Sequence, residues 1–196
     1  MLSQATLKTE FLKLMDSTSP DFAGWPPTKA AAAANWCNAY NVYALSAQDV
    51  SGDPLVSANL PGMISTLVSL LPEASPTATY KLAADAFDAA FASYWTGALF
   101  AFLVPPVPAP PGCPNIGGTT IWSVEAESKV FAVASGVLGG LLEAEFAVVA
   151  PDVDTKAASL AAAFHSATIS AVTVLIKGSD STLPTPIPIQ NACTIT

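Results

Sequence analysis

His165 is the only histidine in this chain, so imidazole general-base chemistry would have to run through it. Hydrolysis by such a base also needs a nucleophile and an orienting acid beside it. Ser159, Ser166 and Ser170 are close in sequence, yet none stands in a strained strand–turn–helix elbow. Four carboxylate pairs recur, Asp85/Asp88, Glu125/Glu127, Glu143/Glu145 and Asp152/Asp154. Glycoside chemistry needs two such groups converging in a cleft, whereas these fall at helix ends or solvated edges. Gly112, Gly117 and Gly118 make no phosphate loop, since no Gly-Lys-Thr follows and no G-x-G-x-x-G occurs. Cys37, Cys113 and Cys193 lie far apart without a CxxC pair, which is not zinc spacing. Cys37 has no histidine or basic residue near it in sequence to lower its pKa. A Cys113–Cys193 bridge stays open, because both lie in or beside extended proline-containing segments. The expectation is a protein with no catalytic residue, no metal site and no cofactor.

The elements that would hold these side chains read as helices. The chain is organised around Thr79–Val104, where Phe87, Phe91, Trp95, Leu99 and Phe102 recur every three or four residues, with Tyr80 and Tyr94 beside the stripe. Its uncharged part, Ala89–Val104, is short for a bilayer span and ends at Pro105, so a soluble core helix is expected. Ahead of it, residues 5–15 form an amphipathic helix with Leu7, Phe11, Leu14 and Met15 on its apolar face. A turn-rich connector, 16–27, is expected to anchor Phe22 and Trp25 on the core. The helix Pro27–Ala47 carries Trp36, Tyr40 and Tyr43 on one face and Asn35, Asn38 and Asn41 on another. That amide stripe is either a solvated edge or a ladder to a neighbouring subunit or buried backbone. Pro54–Leu71, capped by Asp53, is expected to break at Pro61–Gly62 into two short helices.

Behind the central helix, residues 105–120 hold six prolines and three glycines and favour an extended crossover. Ser123–Val149 reads as a helix whose Gly136 and Gly140 let a second helix approach closely. Asp154 caps a last helix that runs to Lys177–Gly178. The fold class is therefore all-α, a bundle of five to six helices in one domain, 1–178, followed by an extended C-terminal arm, 179–196. In the arm Pro184, Pro186 and Pro188 block helix, and Ile187 and Ile189 point the same way along an extended chain, with Ile195 beyond. These six residues are the expected protein interface, lying across a neighbouring subunit or adding an edge strand to it.

Composition narrows the partners. Hydrophobic residues are 52% and charged residues 11%, against roughly 25% charged in globular proteins, so part of the surface is expected to be covered by other subunits. All seven basic residues are lysine and the net charge is −8. Nucleic acid and anionic membrane surfaces are poor partners for such a chain. The N-terminus, MLSQATLKTEFLKLMDS, has no long apolar core and no A-x-A site, so no secretory leader is expected.

One resemblance rests on layout. An AAxxWxxAYxxYA helix from Ala32 to Ala44, Ala/Phe-rich helices, TKAASLAAAFHSATISAVTVLIKG and a proline-alternating LPTPIPIQ follow one another through most of the chain. This resembles small Ala-rich proteins encoded among the virion structural genes of tailed bacteriophages. The resemblance implies a non-catalytic virion subunit in tail, baseplate, neck or capsid, oligomeric and in contact with other virion proteins. The competing expectation is a helical protein that holds an apolar small molecule in its aromatic core.

Overall fold

Side-chain caps set where the helices begin. In the computed structural model, which describes residues 1–48, 52–72, 79–96, 98–100, 128–180 and 187–195, six helices are present. The first, α1 (Gln4–Met15), starts where Ser3 Oγ accepts from the Thr6 amide. Thr28 caps α2 (Lys29–Ala44) in the same way, through the Ala31 amide at 3.1 Å. A short strand, β1 (Leu55–Ser57), leads to α3 (Leu60–Leu70), and Asn59 Oδ1 takes the Gly62 amide at 3.0 Å. Thr79 caps α4 (Tyr80–Trp95), and a two-residue strand β2 (Leu99–Phe100) follows. After β3 (Ser128–Val133) come α5 (Val137–Ala147) and α6 (Val153–Ala171), the latter capped by Asp152 on the Thr155 amide at 2.6 Å. The chain then continues as β4 (Val172–Asp180) and β5 (Ile187–Thr194). Each cap satisfies an amide that the helix itself leaves without a partner.

Helix predominates, as expected of an all-α chain. The helix α4 packs against α3 and α5, α1 packs on α2 and α6, α2 on α3, and α5 on α6. The apolar stripe of α4 contributes to the core. Phe87, Phe91, Tyr94 and Trp95 are buried together with Phe11, Tyr40, Tyr43 and Phe164. Their rings meet edge to face: Tyr40 lies 5.2 Å from Tyr94 at 79° and 5.8 Å from Phe91 at 63°. Such geometry sets the positive ring edge against the negative face and adds to the burial of area.

Several boundaries differ from the reading of the sequence. The central helix stops at Trp95 rather than Val104, with Thr96 already extended, and Leu99 pairs into β1–β2. Leu99, placed on the core stripe, and Tyr80, placed beside it, are exposed. Pro61 sits in the first turn of α3, where its missing amide costs nothing, so it starts that helix instead of breaking it. Asn59 is that helix's cap; Asp53 is buried ahead of β1. Where one helix was expected over Ser123–Val149, β3 comes first and α5 begins only after Gly136, whose φ of 82° supplies the left-handed turn. The last helix ends at Ala171, not Gly178, because Val172-Thr-Val-Leu-Ile is a run of branched residues that packs well on a pleated sheet.

The arm is also changed. Residues 187–194 pair antiparallel with β4 of the same chain, Ile187 opposite Asp180, Pro188 opposite Ser179 and Ile189 opposite Gly178. The three-stranded order is β3-β4-β5. Ile195, expected at an interface with another subunit, is buried in the chain's own core. The physical reason is proximity: β4 supplies a ladder for the extended segment a few residues away, at a small loop-closure cost. Pro184 and Pro186 lie outside the described residues, as do the proline-rich segment 105–120, Phe102, Ser123, Glu125, Glu127 and Cys113.

Candidate functional site

The side chains singled out for chemistry are tied into the fold one by one. His165 Nδ1 meets the buried Tyr43 hydroxyl at 2.7 Å. Ser159 and Ser170 give their hydroxyls to the carbonyls of Lys156 and Ser166, one turn back. Asp85 pairs with Lys81 at 2.8 Å and Asp154 with Lys8 at 2.7 Å, both on the surface. Asp88 accepts from the Gly136 amide at 2.8 Å and the Gly139 amide at 3.0 Å, which makes it the cap of α5. Its partner in that contact is Gly139: a Cβ there would lie 3.3 Å from Asp88 Cβ, whereas Gly136 and Gly140 face open space. The close approach expected at Gly136 and Gly140 is therefore made by the glycine between them. Cys37 is buried and free, and burial pushes its thiol up to about 12.

Polar groups also cross the core. Trp95 Nε1 donates to Tyr40 Oη at 3.0 Å, and Tyr40 Oη meets Thr168 Oγ1 at 2.9 Å. Thr168 in turn donates to the Phe164 carbonyl at 2.7 Å. Tyr94 donates to Asn41 Oδ1 at 2.9 Å. Burial raises the phenols of Tyr40, Tyr43 and Tyr94 above their ordinary range, so each stays protonated. This network joins α2, α4 and α6 and carries no ionised group.

One place presents unused recognition groups to water, the groove between α1, the 20–27 connector and α2. The connector is held down by the Ala23 amide on the Lys13 carbonyl at 2.9 Å. Gly24, with φ 81°, then turns the chain so that Trp25 stands outward, its ring edge-on to Phe22 at 5.0 Å and 73°. Trp25 is 70% exposed, so it does not anchor the connector on the core as the sequence suggested. Next to it Leu14, Pro26, Asn35 and the half-buried Trp36 line a hollow of about 150 Å³. A second hollow of about 210 Å³ shares Leu14 and Asn35 and runs on past Asn38 to Val42. At this end Lys13 is paired with Glu10 at 2.6 Å. Among the described residues the side chains of Trp25, Trp36, Asn35 and Asn38 make no hydrogen bond.

The amide stripe of α2 thus divides. Asn41 turns to Tyr94, while Asn35 and Asn38 border the groove. The groove itself was missed in the sequence, although Gly24 directly before Trp25-Pro26-Pro27 signals a turn that lifts an aromatic off the surface. No protein-family model matches the chain, and no curated protein or solved structure matches it either.

Proposed function

We propose that the chain is a non-catalytic structural subunit of a tailed-bacteriophage particle, in tail, baseplate, neck or capsid, where many copies contact one another and other virion proteins. The layout that resembles such proteins supports this reading. The observation that carries it is the surface: on a chain with 11% charged residues, Trp25, Val42, Val56 and Val149 stand exposed. Apolar groups on so weakly charged a surface suit burial against a neighbour. In this reading the helices form one bundle, residues 105–120 are its crossover, and contacts use exposed helix and loop faces. The C-terminal arm also takes part in this reading, with Ile187–Thr194 paired to β4 on one side and standing at the edge of the order β3-β4-β5, while Ile195 is buried within the chain. The reading with an apolar small molecule in the core gains nothing from the packing, because the aromatic rings pack on one another.

Mass spectrometry of purified particles from the source phage tests the proposal. The chain is expected as a multi-copy component that stays with the particle through density-gradient purification. Its absence from particles, with the protein found free in the lysate, overturns the reading.

A further inference from the structure

We propose that the groove between α1, the connector and α2 binds a neutral oligosaccharide at least two pyranose rings long. This goes beyond the structural-subunit reading and does not depend on it. A sugar ring has two kinds of surface. One is a patch of C–H groups that packs on an indole; the other is a rim of hydroxyls, each a donor and an acceptor at once. A site for it needs an open aromatic surface and, beside that, planar polar side chains that both give and take hydrogen bonds. The groove supplies these in two adjoining hollows. Trp25 and Trp36 line the first, Asp21, Glu10 and Asn38 line the second, and Asn35 is common to both. Among the described residues, the Trp25 indole N–H, the Asn35 and Asn38 amides and the Asp21 carboxylate make no hydrogen bond. Glu10 meets Lys13 through one carboxylate oxygen, so the other still accepts. Asn35 and Asn38 are one turn apart, about 4.5 Å along α2, so hydroxyls of a single ring reach both.

The mixture of donors and acceptors selects the ligand. An ionised Asp21 only accepts, so an occupant has to bring O–H or N–H groups to it. A proline-rich or purely apolar segment has none to bring and would cover that carboxylate unanswered. A simple cation would meet Asp21 and the indoles, yet the amide donors of Asn35 and Asn38 would find no acceptor on it. Charge excludes the anions. Glu10 and Asp21 against Lys13 leave the groove negative, on a chain of net charge −8, so phosphates and acidic sugars are repelled. Hydroxyls without charge satisfy every group present. Trp25 is also set for contact in advance. Gly24, at φ 81°, turns it outward, and Phe22 meets its ring at 5.0 Å, so this 70% exposed indole needs little further ordering.

The test screens the full chain on an array of neutral and acidic glycans. Maltotriose, cellotriose, chitotriose and mannotriose are titrated in solution beside it, up to millimolar concentration, with sialyllactose and choline as ligands of other chemistry. At least one neutral glycan is expected to saturate at one per chain and to change tryptophan fluorescence. Trp25→Ala, at an exposed position, should keep the native circular dichroism and weaken binding about tenfold or more, as truncation of an aromatic anchor does. Asn35→Ala and Asp21→Ala should weaken it in the same direction. Tyr80→Ala, which removes an exposed aromatic outside the groove, should leave affinity unchanged. No neutral glycan bound on the array or in solution, or equal binding by Trp25→Ala, overturns the site. Tighter binding of sialyllactose or choline overturns the neutral sugar as its ligand. Self-association that Trp25→Ala weakens, with no glycan bound, overturns the saccharide and gives the groove to a protein neighbour. Each result comes from the isolated chain and is independent of particle composition, so failure here and failure of the virion reading are told apart.

Discussion

The Tyr40 hydroxyl serves two partners inside the core. Thr168 has its proton committed to the Phe164 carbonyl, so Tyr40 must donate to Thr168 while accepting from Trp95. Removing that oxygen takes a bond from two buried groups at once, and buried polar groups that lose a partner bear the full desolvation penalty. Tyr40→Phe is expected to destabilise the fold by about 1–3 kcal/mol, which at this chain length lowers Tm by about 2–12 °C. Tyr43→Phe serves as the comparison. Its partner His165 is half-buried and can turn to water, so the loss should be below about 1 kcal/mol. Thermal melts of both variants decide it; equal losses would mean that the Trp95–Tyr40–Thr168 chain has no special weight.

At the scale of elements, Asp88 ties α4 to α5 across 48 residues of sequence. The start of α5 has no side-chain cap of its own, because Gly136 stands at that position. Asp88→Ala should therefore cost about 1–2 kcal/mol, as loss of an N-cap does, with fraying confined to α5. Hydrogen exchange at Gly139 and its neighbours should speed up more than in the rest of the fold; unchanged exchange there would refute the capping role. Nothing in the sequence pairs Asp88 with Gly136, since a cap drawn from another helix has no local spacing. Helix centres were legible for the opposite reason. Phe87, Phe91 and Trp95 recur every four residues, close to the helical period, and the buried face follows from that alone. Strands were not, because Val172–Ile176 continues the apolar content of α6 and only its branched side chains mark the change. The groove failed to show for a third reason. Trp25 is apolar, and apolarity predicts burial unless the backbone turn at Gly24 is taken into account.

At the scale of the whole molecule, the core is built around groups that must stay protonated. Cys37 is held up to about 12 by burial, against an ordinary value of 9.0. Tyr40, Tyr43 and Tyr94 are raised above 10.0 for the same reason. In the unfolded chain all four titrate at their ordinary values. Between the unfolded and folded pKa the native state binds more protons than the unfolded one, so stability falls as pH rises. The contribution is whole below pH 9 and is lost progressively from there through the thiol's folded value near 12. Carboxylates give no compensation in this window, being ionised in both states. Tm is expected to hold level from pH 7 to 8.5 and then to drop steadily up to pH 11. Tyrosinate absorbance from the buried phenols should appear together with unfolding. Cys37→Ala should remove the earliest part of the fall, from pH 9 to 10, and leave the tyrosine part in place. A native chain whose Tm is level to pH 11, or tyrosines that all ionise with the helices intact, would show that the four groups are not enclosed as their burial implies.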